Sequence, residues 1–209
     1  MKNTQKAVIL VLCVVLCAFG FSCASSGGGG SGPDAAAAPA ISEPYHGVWE
    51  LTGDDDSGDK GTSTVTLTEA EEEIDGKTVK TYRFVGEVTN GTQYGLISAI
   101  LTPDADTLAV LKKCSAISFK LLGDGRPYNV EAPISTVTDW GFHRFPIKTT
   151  PGTAQEYKID LKMFQQPSWA TAVRFNKERL TMIRVQTFNA AEGGIGPFDF
   201  KIWDITLYP

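Results

Sequence analysis

From Gly47 onward the chain reads as short apolar runs broken by Gly, Asp and Pro. Residues 62–68 alternate, with Val65 and Leu67 on one side and Thr64, Thr66 and Thr68 on the other, the period-two pattern of a half-buried strand. Asp75-Gly76 marks a tight hairpin turn, with the returning strand over residues 79–88. The charge run 69–73 between them reads as a solvated hairpin end. Further strands are predicted over 94–101, 116–122, 126–134, 142–147, 156–159, 180–188 and 198–207. Their spacing of roughly ten residues, with frequent turn signals, predicts an all-β sandwich. Only residues 104–113 offer a short helix, and no internal repeat is visible.

Before this region the texture is different. Lys2 and Lys6 precede an almost unbroken apolar stretch over 7–21, the layout of an export signal and too short for the roughly 20 apolar residues of a spanning helix. The exit Gly20-Phe21-Ser22-Cys23, followed by Ala24-Ser25-Ser26 and four glycines, resembles a bacterial lipoprotein signal in which Cys23 becomes the lipidated first residue. The usual leucine three places before the cysteine is Gly20 here. The alternative is an ordinary signal peptide and a soluble secreted product. Lipidation is preferred, because residues 25–40 are Gly/Ser-rich and then Ala/Pro-rich, a flexible tether suited to an anchored domain. The expected organisation is a lipoprotein-type signal over 1–22, a tether over 23–41 and one β-sandwich over 42–209, exported and lipid-anchored to a bacterial membrane in the cell envelope.

Of the four cysteines only Cys114 lies in the folded part, so no disulfide inside the domain is expected. Cys114 reads as a buried small apolar residue. The net charge of −5 lacks the basic footprint of a nucleic-acid binder. With only His46 and His143, and no nucleophile elbow or phosphate loop, nothing supports an enzyme or a cofactor. The aspartate-rich run 54–59 has the look of a calcium loop, but its glycine falls one place early for an EF-hand. An exposed turn is the preferred reading, weak calcium binding the lesser one.

The aromatics offer more. Tyr94, Tyr128, Trp140, Trp169 and Trp203 lie near turns or polar neighbours. Rings beside amide and guanidinium groups suit sugars, since the ring packs on C–H faces while polar groups take the hydroxyls. Arg184 and Gln186 alternate with Ile183 and Val185, so both should point to solvent if the latter fill the core. Partial core burial is the competing reading for each aromatic taken singly.

Ile117-Ser118-Phe119, then Gly123-Asp124-Gly125-Arg126-Pro127-Tyr128-Asn129-Val130, then Phe164-Gln165-Gln166-Pro167-Ser168-Trp169, then Phe198-Asp199-Phe200-Lys201-Ile202-Trp203-Asp204-Ile205 resemble the complex I intermediate-associated protein 30 superfamily, itself similar to carbohydrate-binding module family 11. The resemblance implies a galactose-binding-like jelly roll and, for bacterial members, noncatalytic glycan binding. It departs at Trp203, where the family's acidic pair puts an aspartate, which leaves a structural calcium unsupported. It departs again at Ala170, where a glycine is usual. The expected ligand-binding set is Tyr94, Arg126, Tyr128, Trp140, Gln166, Trp169, Arg184 and Gln186, facing a glycan or polysaccharide. The other reading is a noncatalytic assembly lipoprotein that uses the same sandwich to hold an envelope protein partner.

Overall fold

The computed structural model describes residues 42–54, 62–92 and 94–209. The leader, Cys23, the tether and positions 55–61 of the aspartate-rich run lie outside the described residues. Eleven strands follow one another as β1 (Glu43–Pro44), β2 (Gly47–Gly53), β3 (Thr64–Ile74), β4 (Lys77–Val88), β5 (Ile97–Pro103), β6 (Ala116–Leu122), β7 (Pro127–Ala132), β8 (His143–Lys148), β9 (Ala154–Asp160), β10 (Ile183–Thr187) and β11 (Gly196–Tyr208). Among the described residues one α-helix, α1 (Ala105–Leu111), starts where Asp104 accepts a hydrogen bond from the Thr107 backbone N–H at 2.8 Å, a side-chain cap of the first helical turn.

The strands form two antiparallel sheets. The first has the order β3-β4-β11-β6-β9, with β1 paired to β11, and the second the order β2-β5-β10-β7-β8. Alternation sends one side of the longer strands into a shared core. Phe84 stacks on Phe200 with ring centroids 4.8 Å apart, and Tyr128 meets Phe200 edge-on at the same distance. Trp49 packs on Phe84 from the second sheet at 5.0 Å. Cys114 is buried and free, its Sγ donating to the Leu111 carbonyl, and burial pushes its thiol up to about 11. It is a packing residue at neutral pH.

The hairpin turns at Asp75 (φ 53°) and Gly76 (φ 73°), the left-handed pair that a two-residue turn needs. The acidic run 69–73 is the solvated, turn-proximal end of that hairpin, and it lies within β3 itself. It stays in strand because β4 and β11 supply opposite charges: Lys80 meets Glu69, and Lys201 meets Glu72, both at 2.7 Å.

The most specific motif, Gly123-Asp124-Gly125-Arg126 with Tyr128, is a structural joint. A side chain at Gly123 would meet Thr149 at 2.4 Å, and Gly125 sits at φ 96°, a region glycine enters without steric cost. Asp124 accepts from the Arg126 N–H, the Tyr128 hydroxyl and the Asp199 N–H. Arg126 donates to the carbonyls of Gly194, Ile195 and Pro197, so one turn fastens the start of β11 to β7.

Candidate functional site

Register defines the outer face of the second sheet. One rung crosses all five strands as Glu50, Ile100, Arg184, Glu131 and Arg144, and the next as Thr52, Ser98, Gln186, Asn129 and Pro146. An outer face is normally wet, yet Ser98, Asn129, Glu131 and Arg184 are buried. Arg184 donates to Ser98 Oγ at 2.6 Å, and Gln186 donates to the same oxygen at 3.2 Å. The Arg184 Nε and Glu131 Oε2 approach to 3.3 Å, with side chains only 8% and 5% exposed. That approach lacks hydrogen-bond alignment, and both atoms are without a protein hydrogen-bond partner. Burial pushes the Glu131 carboxyl up to about 7; the Arg184 and Arg144 guanidiniums pull it down, and Glu192 pushes it up.

Two loops cover this floor at the His143 end. The Phe142 ring lies 5.1 Å from the Arg184 guanidinium carbon, within reach of a cation–π contact. Residues 139–142 and 166–173 are stitched together: Asp139 accepts from the N–H groups of Gly141 and Thr171, and Gln166 donates to the carbonyls of Gly141 and Thr171 while accepting from the Val173 N–H. These backbone donors hold the Asp139 carboxyl below the usual carboxylate range. A side chain on Gly141 would stand 2.1 Å from the Ala170 Cβ, so the residue in place of the family's usual glycine is matched by a glycine on the facing loop.

Trp140 and Trp169 flank that contact, 76% and 64% exposed. Trp140 holds φ 63°, a region a bulky residue rarely enters, at a cost of about 1–3 kcal/mol. Beside the loops lies a shallow recess of about 330 Å³, lined by Arg144, Phe145, Pro146, Met163, Gln165, Gln166 and Pro167. Arg144 of β8 pairs with Glu192, from the turn after β10, at 2.9 Å.

The eight expected contacts therefore separate. Trp140 and Trp169 share one loop platform, and Arg184 and Gln186 share the sheet face beside it. Arg184 points away from the core as expected but not into solvent, because Phe142 and Glu131 enclose it. Gln166 is spent on the loop stitching. Tyr94 is 63% exposed but precedes the Ile97 end of β5, the opposite end of the sheet from Trp140. Tyr128, fully buried, and Arg126, engaged by three carbonyls, leave the set. Trp203 is buried too, at a β11 bulge where Asp204 (φ 51°) pairs with Lys120 at 3.0 Å. Missed from sequence were Glu131, Asn129 and Ser98; the alternation of Asn129 and Glu131 with Tyr128 and Val130 would have placed both on the Arg184 face. Among the described residues no group of metal-ligating side chains comes together.

These two antiparallel sheets and their order make the domain a jelly-roll β-sandwich. Residues 42–202 match the family described as complex I intermediate-associated protein 30 (CIA30), and the chain belongs to that family. No curated protein sequence matches it significantly. Its fold is similar to the family 11 carbohydrate-binding module of the cellulosomal cellulase Lic26A-Cel5E of Clostridium thermocellum, with a TM-score of 0.56 and 15% identity over 81% of this chain and 95% of that one. An exo-β-agarase, 12% identical over 69% of this chain and 22% of that one, scores 0.44. A family 4 carbohydrate-binding module, 16% identical over 77% and 86%, scores 0.38. Likenesses as distant as the last two bear on neither fold detail nor function.

Proposed function

We propose that this domain is a noncatalytic carbohydrate-binding module, held at a bacterial cell envelope by lipid on Cys23. The observation that carries the reading is the pair of exposed indoles, Trp140 and Trp169, on loops locked together at Gly141 and Ala170. Backbone strain kept in order to present a ring to water suits a ligand platform better than a packing role. Sugar C–H faces stack on the indoles, and Gln165 and Arg144 in the adjoining recess take hydroxyls. The likeness to a family 11 module points in the same direction, while the site and not the fold carries the reading.

Isothermal titration against soluble glucans, xylans and host-type glycans tests this. Weak binding that Trp169→Ala removes is expected, because a shallow polar site gains little over its ordering costs. No heat with any member would sink the reading. The family's description names association with a complex I intermediate, which supports the second reading, a noncatalytic assembly or protein-interaction lipoprotein. Cross-linking in the native envelope that returns one stoichiometric protein partner, with no sugar response, would favour it. Anchoring is tested by fatty-acid labelling, with incorporation in wild type and none in Cys23→Ser.

A further inference from the structure

The floor under Phe142 carries unspent hydrogen-bonding capacity. Arg184 Nε, Glu131 Oε2 and Asn129 Nδ2 are each buried without a protein hydrogen-bond partner, and they sit on two adjacent rungs of β10 and β7. Together they offer a donor, a carboxylate acceptor and a second donor. A sugar hydroxyl both donates and accepts, so two neighbouring hydroxyls complement that set. Leaving buried polar groups unpaired is costly, and a partner that satisfies all three would be favoured strongly.

Over Arg184 this floor meets the half-buried ring of Phe142. The backbone on either side of it is fastened: Gly141 is held through Asp139 and Gln166, Phe142 donates its N–H to the Trp140 carbonyl, and His143 begins the pairing of β8 with β7. The side chain of Phe142, packed at the margin of the core, is therefore the part that can move without breaking a backbone hydrogen bond. Its ring stands edge-on to the Trp140 indole, with centroids 6.1 Å apart, so the cover adjoins the exposed platform.

We propose that Phe142 is a swinging cover over a polar subsite, floored by Arg184, Glu131 and Asn129, that takes two neighbouring hydroxyls of a sugar ring stacked beside Trp140. The subsite rests on the glycan reading above and adds a deeper contact to it. The charged groups facing Glu131 are Arg184 from β10, Arg144 from β8 and Glu192 from the turn after β10. The position of this carboxyl near neutrality gives the subsite a signature. Hydroxyls donating to the carboxylate favour its ionised form, so binding releases a proton and tightens as pH rises.

The test is titration of the full-length protein with the soluble glucan, xylan and host-glycan panel at about pH 5.5 and about pH 8. Wild type should bind several-fold tighter at the higher pH, and Glu131→Gln should lose that dependence. Phe142→Ala should bind more tightly than wild type at both. Nitrogen-15 spectra of unaltered protein should show the Arg184 Nε–H resonance moving on saturation, a readout that no variant's folding can spoil. Sugar binding that is independent of pH, leaves the Arg184 resonance still and is removed by Trp169→Ala would overturn the subsite while leaving the glycan reading intact. No binding by wild type or Phe142→Ala overturns both.

Discussion

The two outer faces of this sandwich both carry ion pairs, in opposite settings. On the first sheet, Arg83 grips Asp199 with two hydrogen bonds and Lys120 meets Asp204, all with side chains at least one-third exposed. On the second sheet, Arg184 and Glu131 are enclosed beneath an aromatic ring. Exposed pairs contribute little, because water screens the attraction and holding two long side chains costs entropy. Enclosed charges depend on one another, since neither retains water to fall back on. The difference separates a solvated wall from a face shaped around buried polar chemistry.

Removing one charge from each face should break the comparison most sharply. Glu131→Ala leaves Arg184 buried without its facing carboxyl and should lower stability by about 3–5 kcal/mol at acid pH, and by less as pH climbs through about 7. Asp199→Ala should cost under about 1 kcal/mol. Chemical denaturation of the two variants side by side checks this, and equal losses would erase the distinction between the faces.

Acidity sharpens it further. The Glu131 carboxyl rises in the folded state to about 7 from an ordinary value of 4.5, so the native protein holds a proton that the unfolded chain has released. The contribution is full below the unfolded value and fades as pH climbs through about 7, on the order of 3 kcal/mol at 1.36 kcal/mol per unit. Asp104, Asp139, Asp160 and Asp199 are shifted down and act with the opposite sign at acid pH. The informative quantity is the difference in stability between wild type and Glu131→Gln from about pH 4 to pH 8. A difference that stays constant would contradict the enclosed setting.

The covering loops make a smaller prediction. Gly141→Ala drives a methyl into Ala170 and should cost about 1–3 kcal/mol, with much of the loss restored by Ala170→Gly in the same chain. The smallest effect belongs to Trp169→Ala, expected within about 0.5 kcal/mol of wild type because the ring is exposed. A large drop in melting temperature would make Trp169 a packing residue.

The sandwich was legible because alternation and turn chemistry write themselves into neighbouring residues. Asp75-Gly76 named its own turn, and Asp104 caps α1 inside the predicted span 104–113. The site was legible only in part. Trp140 and Trp169 are exposed, but nothing local in the sequence shows that Gly141 and Ala170 lock their loops together. Tyr128 and Arg126 misled because a polar tip near a turn looks the same whether it meets a ligand or an aspartate and three carbonyls of its own chain. Arg184 was set on the right face and in the wrong medium, since the ring that covers it comes from a loop about forty residues earlier.

The account turns on whether the two exposed indoles hold sugar. The most direct measurement titrates the soluble glycan panel into wild type and into Trp140→Ala/Trp169→Ala, with the melting temperature of each recorded. The account predicts saturable binding in wild type and none in the double variant, at nearly unchanged melting temperature. Undiminished binding by that variant, or no binding by wild type to any glycan, would contradict it.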